Sequence, residues 1–168
     1  METKKFTRLS LLLALSVALN IVESFIPFFN GAIPGLKLGL ANIVNLFIIY
    51  EFTLKDALYV GILRVFLVGM LRTGIFSLTF FFSLNGVLLS IIMMYLGKKY
   101  FKLSLIGVSI IGSISHSIGQ VIVAIIILQM NAMIYYLPYL LLLSIPTGII
   151  VGITCKQLTN YYDEHLII

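Results

Sequence analysis

Six long apolar stretches take up almost all of this 168-residue chain, and a handful of charged and hydrogen-bonding side chains stand inside them. A helix needs about 20 apolar residues to cross a hydrocarbon core roughly 30 Å thick, so six crossings use about 120 residues and leave short connections. The chain is expected to be an all-α integral membrane protein: one membrane domain over residues 1–168, built as a bundle of six transmembrane helices. Their expected bounds are 9–28, 38–52, 54–71, 75–96, 103–130 and 132–155. The composition agrees, with 61% hydrophobic and 10% charged residues and a mean hydropathy of +1.14, far from the balance of a soluble domain. No length is left for a nucleotide-hydrolysing or other soluble module, which would have to come from another polypeptide. The second stretch is short. It either crosses with little tilt, thins the bilayer, or pairs with the third as a re-entrant hairpin.

Counting Lys and Arg loop by loop orients the chain. With the amino terminus inside, Lys4, Lys5, Arg8, Lys55, Lys98, Lys99, Lys102 and Lys156 all fall on the cytoplasmic side. That distribution satisfies the positive-inside rule and places both termini of a multi-pass cell-membrane protein in the cytosol. The net charge of +5 is thus a matter of topology. No basic face with interleaved aromatics suggests nucleic acid as a partner. Lys4, Lys5 and Arg8 before an apolar run, with Ser16-Val17-Ala18 further on, have the outline of a secretory signal, but the run continues past Ala18 and argues against cleavage. The single Cys155 is expected to be a packing residue. Tyr135, Tyr136 and Tyr139 suit an outer aromatic belt, and Tyr95 and Tyr100 an inner one.

Helical geometry sorts the polar residues into faces. On the first helix Ser10, Ala14 and Ala18 form a stripe of small side chains, with Asn20 and Glu23 about 120 to 180° away. Small residues four apart let backbones approach closely in lipid, so Ala14 and Ala18 suit docking of another helix, either a neighbour in the bundle or a partner. On the fifth helix Ser109, Ser113, His116, Ser117 and Gln120 fall within about 100° of one another and should face inward. Asn42 and Asn45 share a face of the second helix, and Asn85 stands beside Gly86 near the middle of the fourth.

Energy gives these residues weight. A charged side chain at mid-membrane costs about 2.5 to 3.5 kcal/mol on insertion scales, so Arg64 requires a compensating partner, and Glu23 is the obvious one. The pair has two readings: a structural intramembrane ion pair, or two groups that meet through a ligand. His116 likewise reads either as an interhelical hydrogen-bonding contact or as part of a site. The candidate substrate-binding residues are Glu23, Lys37, Asn42, Asn45, Arg64, Asn85, His116 and Gln120, lining a pocket that opens outward. Lys37 and Arg72 at its mouth, with the amino end of the second helix, suit an anionic headgroup such as carboxylate or phosphate. Each taken alone reads as an interface anchor.

Catalytic motifs are missing from the sequence. It contains no Walker A sequence, HExxH or nucleophile elbow. The aspartates are Asp56 and Asp163, which supply no aspartate-rich pair to hold magnesium against a diphosphate. No catalytic residue, metal ligand set or cofactor is expected.

The run Ile33-Pro34-Gly35-Leu36-Lys37-Leu38-Gly39-Leu40-Ala41-Asn42-Ile43-Val44, with Leu63-Arg64-Val65, Phe82-Ser83-Leu84-Asn85-Gly86 and Ser115-His116-Ser117-Ile118-Gly119-Gln120, resembles the membrane family called heptaprenyl diphosphate synthase component I, also called the Gx transporter family. That family is similar to the substrate-binding S components of energy-coupling-factor transporters. The resemblance implies two jobs. One is capture of a small metabolite from the outer side, with a transmembrane scaffold subunit docked on Ala14 and Ala18 and ATPase subunits on separate chains. The other is service as the membrane subunit of a prenyl synthase whose soluble partner catalyses quinone side-chain synthesis. A structural membrane scaffold is a third reading of the residues alone.

Overall fold

The computed structural model describes residues 2–23, 39, 41–129 and 131–166. All its regular structure is helical: α1 (Glu2–Glu23), α2 (Asn42–Glu51), α3 (Leu54–Val68) continued by a π-helical turn at Gly69–Thr73, α4 (Leu78–Lys99), α5 (Leu105–Leu128), and α6 (Leu137–Leu166) preceded by a 3₁₀ turn at Asn131–Tyr136. The helix starts are written in the sequence. Thr53 and Asp56 form a reciprocal capping box on α3, and the Ser77 and Ser104 hydroxyls accept the N–H groups of Phe80 and Gly107 at the heads of α4 and α5.

Among the described residues, four helices are long and apolar enough to cross a membrane: those at 3–23, 78–99, 105–128 and 134–164. Large apolar side chains such as Leu11, Ile92, Ile126, Leu142 and Ile150 are exposed around them, as a lipid-facing surface requires. The observed bounds depart from those expected most clearly in α1, α2, α3 and α6: α1 begins at Glu2 rather than at residue 9. α2 is confined to ten residues, about 15 Å of helix and half the hydrocarbon thickness. α3 leaves the α-helical path at Gly69, and α6 runs on to Leu166 rather than ending at 155.

The short α2 is the axis of the bundle. It touches α1, α3, α4 and α6, and every residue from Asn42 to Ile49 is buried. Leu46, Phe47, Ile48 and Ile49 pack with Ala57 and Val60 of α3, Val87, Ile91 and Met94 of α4, Val108 of α5 and Val151 of α6. Hydrocarbon offers no hydrophobic drive between helices, so close packing and interhelical hydrogen bonds hold such a bundle. The α5–α6 seam illustrates the first: Gly148 and Gly152, four apart, sit against the backbone of Ile110 and Ile106, where added Cβ atoms would stand 2.8 and 2.9 Å from the two Cα atoms. Ser117 and Ser144 supply the second, with hydroxyls 2.6 Å apart across the same seam.

One end of the bundle gathers most of the positive charge. Lys5 of α1 pairs with Asp56 of α3 at 2.8 Å, Arg8 donates to the Tyr162 hydroxyl of α6 at 2.6 Å, and Lys98 of α4 donates to the last carbonyls of α2, Ile49 at 2.8 Å and Tyr50 at 3.3 Å. These contacts bring the heads of α1 and α3 together with the tails of α2, α4 and α6.

Candidate functional site

Four elements carry polar side chains into the apolar interior. Asn20 and Glu23 lie one turn apart near the end of α1, Asn42 and Asn45 one turn apart at the start of α2, Arg64 on α3 and His116 on α5. Arg64 is 2% exposed and is the largest fully buried side chain of the described residues. Its Nε and Nη1 have no hydrogen-bond partner there, and neither do Oδ1 and Nδ2 of the fully enclosed Asn45. An added Cβ at Gly61 would stand 3.6 Å from Asn45 Oδ1, and Arg64 follows Gly61 by one turn on the same face of α3. Buried polar groups are nearly always satisfied. Four such atoms in one region mark it as a place built for polar contact.

Glu23 is also buried, 4% exposed. Its Oε1 accepts the N–H of Gly39, whose carbonyl in turn accepts the N–H of Asn42 at 2.8 Å. Gly39 holds φ at +83°, a conformation that side chains resist. Glu23 and Arg64 bring opposite charges into the buried interior.

Between α1, α3, α4 and α5 lies a narrow cavity whose polar walls are Asn20, Arg64, Thr73, Ser83 and His116 and whose apolar walls are Val65, Val68, Phe80 and Val87. It has about 20 Å³ of room, enough for a water and far below the ~300–1,000 Å³ of a metabolite pocket. The His116 ring lies against Gly86, where an added Cβ would stand 2.7 Å from Cε1.

Of the candidate residues, Arg64 and His116 line this cavity, and Glu23, Asn42 and Asn45 are buried. Asn85 does not line the cavity; it is exposed on α4. Ser83 takes that place, because Phe80, Ser83 and Val87 share a helix face from which Asn85 is turned by about 200° relative to Ser83. Gln120 is half-buried on α5, and Arg72 is exposed. Lys37 lies outside the described residues. The inward stripe on α5 divides: Ser109 and Ser113 pack against Gly152 and Gly148 of α6, and His116 packs against Gly86 of α4. Asn20 had its face assigned from the sequence without being named for the site, and Thr73 enters through the π turn, which has no sequence signal. Ala14 and Ala18 are both exposed on α1, while Glu23 is buried.

The arrangement can hold a dipole or an anionic group, and it offers little to a catalyst. No cluster of three or more His, Cys, Asp or Glu occurs among the described residues.

The family model described as heptaprenyl diphosphate synthase component I matches residues 12–158. No curated protein and no solved structure matches this chain.

Proposed function

Because this chain belongs to the heptaprenyl diphosphate synthase component I family, we propose that it is the membrane subunit of a two-part prenyl diphosphate synthase, acting with a soluble catalytic partner. The family match over residues 12–158 carries the reading. The sequence carries no aspartate-rich pair to hold magnesium against a diphosphate, and the reading assigns elongation chemistry to the partner. This subunit then supplies attachment to the bilayer, where a lengthening apolar product is soluble.

Purification of the tagged chain from its native membrane tests this. A soluble polyprenyl synthase should copurify, and its loss on removal of this chain from the cell should lower the membrane-bound synthase activity. Copurification with ATPases and a transmembrane scaffold in its place would overturn the reading.

A second reading, solute capture as a transporter S component, is favoured by one observation: Arg64 and Asn45 keep four hydrogen-bonding atoms unpaired in the interior. Under it, Ala14→Leu with Ala18→Leu would abolish assembly with the scaffold and spare ligand binding. Intact assembly in that variant would remove the docking role.

A further inference from the structure

At the basic end, the α2–α3 turn and the last turn of α4 enclose an open groove of about 410 Å³, a size within the ~300–1,000 Å³ range of small-molecule sites. Its two walls differ. Ile49, Phe52 and Leu54, with Thr53 between the last two, make one mainly apolar, and Tyr95, Lys98 and Lys99 make the other polar and positive. Lys98 is held in place, and Lys99 is exposed beside it. Lys98 Nζ is fixed by the Ile49 and Tyr50 carbonyls and stands 4.4 Å from the Tyr50 ring centroid, which leaves one of its three N–H donors to give. Lys99 Nζ lies 5.4 Å from the Tyr95 ring and 5.6 Å from the Tyr100 ring. Glu51 acts on Lys98 and balances part of that charge; the groups acting on Lys99 are Tyr95 and Tyr100.

We infer that this groove takes a phosphate-headed amphiphile, with the phosphate or diphosphate against Lys98 and Lys99 and the first carbons of its chain against Ile49, Phe52 and Leu54. Charge complementarity selects the head, since ammonium groups at a membrane rim attract anionic headgroups and make strong charge-assisted bonds to phosphate oxygens. The apolar wall excludes a free nucleotide or sugar phosphate as the best fit, because neither would cover it. The choice of a prenyl over an acyl chain rests on the component I reading above.

The test uses the full chain in detergent micelles, with geranylgeranyl diphosphate as the probe and titration calorimetry as the readout. Saturable binding is expected, weakened about tenfold by Lys99→Gln and unchanged by Lys4→Gln at the same end of the bundle. Lys99 is exposed and makes no backbone contact like that of Lys98, so K99Q should unfold at the wild-type temperature. Equal affinity in wild type, K99Q and K4Q would overturn the site. Phosphatidylglycerol competing as well as the probe would overturn the prenyl assignment and give the groove to bilayer lipid; inorganic diphosphate should compete only at much higher concentration. Copurification of a soluble synthase is read separately, without probe. Synthase bound with no probe binding sinks the groove alone, and probe bound with no synthase sinks the component I reading alone.

Discussion

His116 and Gly86 fit each other: the imidazole lies so close to the glycine Cα that an added Cβ would stand 2.7 Å from Cε1 and 2.8 Å from Nδ1. Ring orientation and α4–α5 spacing are therefore set together. Gly86→Ala should cost about 1–3 kcal/mol in thermal unfolding, and His116→Ala in the same chain should recover much of it. Gly119→Ala meets the Asn85 carbonyl oxygen at 2.9 Å, a backbone atom that no side-chain substitution removes, so its cost should persist in the H116A background. Additive effects of G86A and H116A would show that the ring does not set the spacing.

Arg64 and Glu23 should behave as a coupled unit. Removing one of two buried opposite charges strands the other, at a cost of about 3–5 kcal/mol, so Arg64→Met and Glu23→Gln should each destabilise strongly. The double variant should lose less than their sum. Unfolding in detergent measures the coupling, and additivity within about 0.5 kcal/mol would mean the two charges act independently.

Asp56 should shape the acid limb of stability. Burial pushes its carboxyl up, and hydrogen bonds from Lys5 and Thr53 more than offset this, leaving it below the ordinary aspartate range. The folded state thus favours the ionised form. Its stabilisation is complete above the unfolded value, about 3.9, and fades as pH falls through the lower folded value. Asp56→Ala should cost about 1 kcal/mol at neutral pH through loss of the capping box and should flatten the unfolding profile below pH about 4. An unchanged acid profile in the variant would transfer that dependence to other groups.

The α5–α6 seam should tolerate loss of its hydrogen bond better than loss of its close approach. Ser117→Ala removes an interhelical bond of a kind that averages about 0.6 kcal/mol in membrane proteins. Gly152→Ala forces a Cβ to within 2.9 Å of the Ile106 Cα and should cost about 1–3 kcal/mol. The reverse order, read from thermal unfolding of the two variants, would mean that hydroxyl pairing rather than backbone proximity holds the seam.

The six helices were legible because each is an apolar run, α2 the shortest of them, and Glu23, Asn45 and Arg64 because hydrocarbon excludes them. The failures have specific causes. The sixth helix is expected to end at 155, ahead of Lys156, yet α6 continues to Leu166, where Tyr162 stacks edge-on to Phe47 at 5.3 Å and receives Arg8. The α5 serines look the same in sequence as pocket-lining groups. Only the position of Gly148 and Gly152 on another helix reveals that they pack against α6 instead. Asn85 drew attention by its polarity, whereas the helical spacing from Phe80 and Val87 singles out Ser83.

The half-length of α2 bears on how this protein is made. A ten-residue segment is too short to partition into a bilayer unaided as a spanning unit, and its flanks at Asn42 and Glu51 are polar. Its place in the bundle therefore depends on its neighbours closing around it, and substitutions inside α2 should act on assembly of the bundle rather than on insertion of a span.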